Sequence, residues 1–330
     1  METKKYRFDE VTINFDKKRI PLSSAQREKR QGTFRYYGAQ GVIDHVDDYI
    51  FDGTYLLIAE DGENLKSKKQ NIAQVVDGQF WVNNHAHIVQ GNEQCDTRFL
   101  CYLINSMDLS GYVTGSAQPK LSQANLNAVT LSLPTLAEQK RIVEYLYMLD
   151  QKIDVNRQIN DNLEQQAAAL FSSLYDRTNT EVRFTDLIQI LGGGTPKTGE
   201  NTYWNGNIAF FTPKDVGTPY TLSTEKTITE EGLSHCNSRL YPVNTVFVTA
   251  RGTVGKVGMS GVPMAMNQSC YALVGKETHQ LLVYFYTLKT VDRLKHKASG
   301  AVFDAITTRD FESEQIMKLS DEDAKSFLCI

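Results

Sequence analysis

The chain has 330 residues, of which 41% are hydrophobic and 22% charged, an ordinary globular mix that excludes both a single small module and a disordered chain. Its formal net charge is −4, so it has no overall basic field, and any contact with nucleic acid has to come from local patches. The cysteines Cys95, Cys101, Cys236, Cys270 and Cys329 form no C-x-x-C pair, which argues against a disulfide framework or a zinc knuckle and points to a reduced, cytoplasmic setting.

Residues 1–10 carry charge and no apolar signal core, and no apolar run approaches the roughly 18 residues of a membrane span. The expectation is a soluble, unsecreted protein with no membrane partner. In chain order, Tyr55-Leu-Leu-Ile-Ala59, Phe80-Trp-Val82 and His87-Ile-Val89 read as strands, punctuated by Gly, Asn and Asp, with a helical stretch over residues 96–107.

Residues 138–176 then contain no Gly and no Pro, and Glu, Gln, Leu, Ala, Lys and Arg dominate. This predicts one long helix. Pro134 precedes it, and Thr135-Leu-Ala-Glu138 has the form of a capping box. Along it Ile142, Leu146, Leu149, Ile153, Asn156, Asn160, Leu163, Ala167, Leu170 and Leu174 follow alternating steps of four and three, the seam of a coiled coil that wants one partner helix of similar length. At 1.5 Å per residue the helix spans roughly 58 Å and acts as a spacer. Beyond it Thr245-Val-Phe-Val-Thr249 and Tyr271-Ala-Leu-Val274 read as strands and residues 278–295 as a helix. Both flanks are thus α+β with strands in the majority.

The flanks also resemble each other in order and spacing, as a duplication would. Phe34-Arg-Tyr-Tyr37 answers Ile208-Ala-Phe-Phe211, and the run ending at Ala59 answers the run ending at Thr249. Asn83 answers Asn267, 184 positions later, and the Gly115 loop answers the Gly300 loop, 185 later.

Several motifs invite chemistry. Gly192-Gly-Gly-Thr-Pro-Lys197-Thr198 is no phosphate loop, because Pro196 has no N–H to offer, and Gly252-Thr-Val-Gly-Lys256 has Val257 where Ser or Thr is needed. Glu60, Asp61 and Glu63 beside Lys66 could seat a nuclease metal, yet turn chemistry explains them equally, and the second flank has Arg251-Gly-Thr in that place. His85 and His87 share one strand face, which reads more simply as an ordinary exposed strand than as a metal site. The basic clusters Lys66, Lys68, Lys69 and Arg251, Lys256 follow the equivalent strand in each repeat, as phosphate contacts would. Beside them the candidates for DNA contact are Arg35, Tyr36, Tyr37, Gln118 and Lys120 in the first flank, and Lys197, Thr212, Lys214, Asp215 and Gln268 in the second.

Together these residues resemble the DNA-specificity subunit of a type I restriction–modification system. Arg30-Gln-Gly-Thr-Phe-Arg-Tyr-Tyr-Gly-Ala-Gln-Gly41, Tyr49-Ile-Phe-Asp-Gly53 and Leu57-Ile-Ala-Glu-Asp-Gly62 are similar to one common form of that family's target recognition domain. Gly193-Gly-Thr-Pro196, Tyr203-Trp-Asn-Gly206, Thr212-Pro-Lys-Asp215, Thr249-Ala-Arg-Gly252 and Asn267-Gln268 resemble the other. Leu133-Pro-Thr-Leu-Ala-Glu-Gln139 and the heptads resemble its helical conserved region.

The resemblance implies an α+β fold with two mainly β target recognition domains, residues 1–133 and 179–319, joined by a coiled-coil spacer, 134–178. It implies no catalysis and no cofactor in this chain. Its partners would be double-stranded DNA, methyltransferase subunits and a restriction subunit that translocates and cuts. Residues 320–330 would begin a second long helix, cut short; either the chain is truncated, or the seam's partner comes from a second copy or another subunit. Two rival readings stay open: a scaffold binding protein or carbohydrate, and a metal-dependent nuclease using Glu60, Asp61 and Glu63.

Overall fold

The computed structural model describes residues 2–68, 70–115, 118–217, 219–297 and 305–329. Contacts divide the chain into two units, Met1–Arg157 and Gln158–Ile330. The strands of the first unit are β1 (Lys4–Arg7), β2 (Thr12–Asn14), β3 (Gln31–Gly38), β4 (Gly41–Val46), β5 (Phe51–Ala59), β6 (Ala73–Val82), β7 (Ala86–Gly91) and β8 (Thr130–Leu133). Six of them form one sheet in the order β2-β7-β5-β6-β3-β4, while β1 pairs only with β8. Only the β3–β6 pairing in that sheet is parallel. The helices are α1 (Ser24–Glu28), α2 (Asn64–Ser67), α3 (Thr97–Ser106), α4 (Gln123–Asn127) and the start of α5 (Leu136–Arg177). Phe99, Leu100 and Ile104 of α3 cover one sheet face at Leu56, Ile58 and Val89. On the other face Tyr37, Phe51, Leu57, Phe80 and Ile88 form a second core. With both faces covered, the β5–β7 centre reads as nearly continuous apolar runs.

The second unit contains β9 (Glu181–Arg183), β10 (Ile188–Gly192), β11 (Trp204–Phe211), β12 (Tyr220–Thr221), β13 (Lys226–Ile228), β14 (Val246–Thr249), β15 (Val257–Ser260), β16 (Met264–Met266), β17 (Cys270–Gly275) and β18 (Gln315–Met317). They form sheets β10-β17-β14-β15-β12 and β13-β11-β16 and a β9–β18 pair. Its helices are α6 (Phe184–Leu187), α7 (Glu230–Ser234), α8 (Gln280–Lys297), α9 (Thr308–Glu312) and α10 (Asp321–Leu328). Leu282, Val283, Phe285 and Tyr286 of α8 pack on Val246, Val248 and Leu273.

The long helix is continuous over 42 residues, or about 63 Å of rise. Its start carries the expected reciprocal cap: Glu138 N–H donates to Thr135 Oγ1 at 3.4 Å, and Thr135 N–H donates to Glu138 Oε2 at 3.2 Å. Ile142 and Val143 pack into the first unit's core. Ala167, Leu170, Phe171, Leu174 and Tyr175 pack into the second's. Between these ends the seam residues Leu149, Ile153 and Leu163 are exposed, with Leu149 at 57%. So are Asn156 and Asn160.

The duplication holds at the level of single hydrogen bonds. The β5–β7 register, Leu56 opposite Val89 through Ala59 opposite Ala86, recurs as Val246 opposite Leu273 through Thr249 opposite Cys270. The parallel β3–β6 pair recurs as β11–β16, with Tyr37 and Phe211 in equivalent places. Tyr37 O accepts Asn83 N–H, and Phe211 O accepts Asn267 N–H, both at 3.0 Å. The β1–β8 pair recurs as β9–β18, and α5 begins after β8 as α10 begins after β18. The expected equivalence of residues 115–121 with 300–306 falls partly outside the described residues. Its described end agrees: Leu121 N–H donates to Glu60 O at 2.8 Å, and Ile306 N–H to Ala250 O at 2.9 Å.

Candidate nucleic-acid interface

In each unit the chain turns at one end of the paired strands, and those turns gather the exposed polar side chains. In the first unit the β3–β4 turn brings Gln40 to within 3.3 Å of the place a Cβ on Gly62 would take. Glu60 N–H donates to His85 O at 2.9 Å, which ties the end of β5 to the β6–β7 turn. Residues 118–121 cross these ends, held by Gly62 N–H to Pro119 O at 3.3 Å and by a bridge between Asp61 and Lys120. Gln40, Asn84, His85, Gln118 and Lys120 are exposed there.

The carboxylates at this pole already have partners. Glu60 lies 3.0 Å from Arg19 Nη1 and 3.2 Å from Lys120 Nζ, and Asp61 lies 2.7 Å from His85 Nδ1. Burial works against the charge on Glu60, yet Arg19, His87 and Lys120 together hold its carboxyl below the usual range. Among the described residues no group of three or more His, Cys, Asp or Glu is placed to hold a metal ion.

The second unit repeats the plan with other side chains. Ala250 N–H donates to Ser269 O at 2.8 Å, and Arg251 bridges Ala305 as Asp61 bridges Lys120. Arg251 and Gln268 are exposed, and Thr195 Oγ1 donates to Gln268 Oε1. Lys197, Lys214 and Lys256 are exposed. Lys214 lies 4.0 Å from Glu225.

Several expected contacts are corrected. Tyr36 is fully buried with Val46 and Trp81, and its hydroxyl accepts Leu22 N–H at 2.8 Å. Tyr37 is buried with Phe51 and Phe80. Neither ring lies at the surface: successive side chains of a strand point to opposite faces, and both faces are covered here, so the two neighbours enter different cores. Thr212 and Asp215 close on each other, since Asp215 Oδ2 accepts both Thr212 N–H at 2.8 Å and its hydroxyl at 2.6 Å. The histidines are not an ordinary exposed pair, for His87 is 1% exposed while His85 faces outward. Arg35 is exposed on β3 but donates to Asp77 O at 2.7 Å. Lys66 is exposed on α2, and Lys68, its left-handed C-cap, lies 2.8 Å from Asp108. Lys69 lies outside the described residues. Sequence reasoning does not single out Gln40 and Asn84; the Gly38-Ala-Gln-Gly41 turn and the Asn83-Asn84 pair are their only signals.

The fold is thus α+β, in two units built on one duplicated strand-end assembly. The pattern that defines the type I restriction modification DNA specificity domain matches residues 2–165 and again 177–318, and the chain belongs to that family. A Haemophilus influenzae chain named provisionally as a type I restriction enzyme specificity subunit is 36% identical over 138 residues, 42% of this chain and 35% of that one. The type I restriction enzyme MjaIX specificity subunit of Methanocaldococcus jannaschii is 27% identical over 154 residues, 45% of this chain and 36% of that one. Each of these alignments thus spans about a third of the relative's length. The crystal structure of the type I restriction–modification system S subunit from M. genitalium has the same fold, with a TM-score of 0.63 at 12% identity, covering 100% of this chain and 89% of that one.

Proposed function

We propose that the chain is a non-catalytic specificity subunit that reads a split site on double-stranded DNA and directs methyltransferase and restriction subunits to it. Residues 1–133 and 179–319 serve as the two target recognition domains, 134–178 as the spacer, and 320–330 as the start of a second helical region. The carrying observation is the assembly built twice with its register kept: a backbone frame that presents Gln40, Asn84, Gln118 and Lys120 in one unit and Arg251 and Gln268 in the other. Asn and Gln amides and an Arg fork are the groups that read base edges, while Lys sets phosphate register. The exposed seam at Leu149, Ile153 and Leu163 supports pairing with a helix from another subunit or a second copy. The five cysteines are free thiols, which suits a reducing cytoplasm, and among the described residues no helix is long and apolar enough to cross a membrane. Methylome sequencing of the host with and without this gene tests the reading. A split methylated motif should vanish with the gene, and an unchanged methylome would sink the proposal.

A further inference from the structure

Buried beneath residues 118–121 lies a run of charges that the frame alone does not require. In the second unit β10 pairs with β17 over five residues, from Ile188 opposite Gly275 to Gly192 opposite Tyr271. In the first, β2 pairs with β7 over three and the chain then departs. The Asp16 carboxylate takes the strand's place, Oδ1 accepting Ile88 N–H at 2.8 Å. Its other oxygen lies 2.6 Å from His87 Nδ1, and His87 Nε2 lies 2.8 Å from Leu121 O. A carbonyl oxygen only accepts, so Nε2 carries a proton; a carboxylate at 2.6 Å requires one on Nδ1 as well. A neutral ring has only one N–H, so with Asp16 held ionised by Ile88 N–H and the Arg19 guanidinium this geometry belongs to the imidazolium.

The charged groups facing His87 come from every side of it. Asp16 and Arg19 stand on the segment after β2, Glu60 at the end of β5, with Oε2 4.0 Å from Nδ1, and Lys120 on the crossing segment beside Leu121. Burial opposes a charge on the ring, but Asp16, the Leu121 carbonyl and Glu60 outweigh it and hold the imidazole above the ordinary histidine range. The same burial opposes Asp16, whose contacts with His87, Ile88 N–H and Arg19 keep it low.

We propose that His87 is a positioning residue whose proton seats residues 118–121, and with them Gln118 and Lys120, so that the first unit's grip on DNA weakens when His87 is deprotonated while the second unit's does not. The second half of that statement rests on the proposed DNA reading, and Tyr271 occupies the place of His87 in the second unit. The neutral ring keeps its one proton on Nδ1, where the Asp16 carboxylate is a stronger acceptor than the Leu121 carbonyl, and this leaves the Nε2 lone pair against Leu121 O, two buried acceptors with no hydrogen between them. A folded-state affinity above the unfolded one gives a contribution that is full at low pH and disappears as pH rises through the folded value.

Amide hydrogen exchange of the full chain across neutral to alkaline pH, corrected for intrinsic rates, tests the seating directly. Protection of the Lys120 and Leu121 amides should fall by about tenfold through one titration, the order of one hydrogen bond to a charged group. The amides of Cys270 and Tyr271 should show no such step. In His87→Gln, which keeps a donor for Leu121 but cannot titrate, the step should be absent. If that variant fails to fold, the wild-type profile still decides: flat protection at Lys120 and Leu121 in a folded chain overturns the proposal. Binding to a labelled mixed-sequence duplex, measured alongside, should weaken through the same titration. Failure to bind duplex at any pH would count against the DNA reading and leave the seating result standing.

Discussion

The two units build the same strand ends, yet they brace them with different chemistry. In the first unit Asp16, Arg19, Glu60, His87 and Lys120 form a chain of charges under the crossing segment. In the second, Tyr271 replaces His87 and packs edge-on against Phe311. A further contrast lies where each unit's last helix begins. Gln139 of α5 is fully buried, accepts Asp96 N–H at 2.9 Å, and donates to Gln94 O and Pro134 O at 3.0 Å. Ala324 holds the corresponding place in α10, beside a groove of about 610 Å³. Backbone pairing thus carries the fold, and side chains are free to diverge at the brace and at the pole. On the proposed reading, that is what recognition of two unlike half-sites requires.

The most decisive way to break this comparison is to exchange one unit's reading surface. Replacing residues 179–319 with the matching stretch of a relative should change one half of the methylated motif and leave the other intact. Methylome sequencing would show it, and a change in both halves would end the two-reader view. The next largest effect falls on the helix both units share. Changing Leu149, Ile153 and Leu163 together to Ser should cost roughly 5–9 kcal/mol of helix pairing, at about 1.5–3 kcal/mol for each side chain returned to water. All three are exposed within the chain itself, so the melting temperature of the unassociated chain, read at high dilution, should stay while sedimentation or pull-down shows that association has gone. A drop in the unassociated chain's melting temperature with association intact would place them in the chain's own core.

Much of this was legible in advance for definite reasons. The helix announced itself because Gly and Pro are missing over residues 138–176 and Thr135 and Glu138 sit at capping distance. The repeat was legible because strand register depends on spacing, and spacing survives divergence. Burial at the pole was not legible. Tyr36 and Tyr37 look like exposed readers until the two-sided covering of the sheet is known. His87 looks exposed for the same reason, since its partners Asp16 and Leu121 lie far from it in sequence. On the long helix, heptad phase names the seam but misses Phe171 and Tyr175, which lie off it and pack into the second unit's core.

Two smaller tests sharpen the contrast at the braces and loops. Gln139→Ala should destabilise the first unit by roughly 2–4 kcal/mol, because it strands the buried Pro134 O after β8 and the half-buried Asp96 N–H at the start of α3; chemical denaturation that shows less than about 1 kcal/mol would deny the brace. At the loops, alanine at Lys66 and Lys68, or at Arg251 and Lys256, should reduce the slope of log affinity against log salt by about 0.9 for each phosphate no longer neutralised, with little change in sequence preference. An unchanged slope would remove that loop from the interface.

The smallest expected effect comes from carrying the first unit's brace into the second. If the repeats correspond through this turn, glutamine at position 324 should reach Thr278 O, Gln280 N–H and Leu319 O, the counterparts of Gln94 O, Asp96 N–H and Pro134 O. Thr278, Leu319 and Ala324 line the same groove, so the side chain has room. New hydrogen bonds at about 1 kcal/mol each are offset by roughly 1.5–2 kcal/mol of side-chain entropy lost on ordering a glutamine. The net gain for Ala324→Gln should be about 1 kcal/mol, or about 2–4 °C in the second unit's melting temperature. Calorimetry that finds no gain, or a loss, would mean that the turn after β17 satisfies its backbone in its own way and that the correspondence between the units ends before α10.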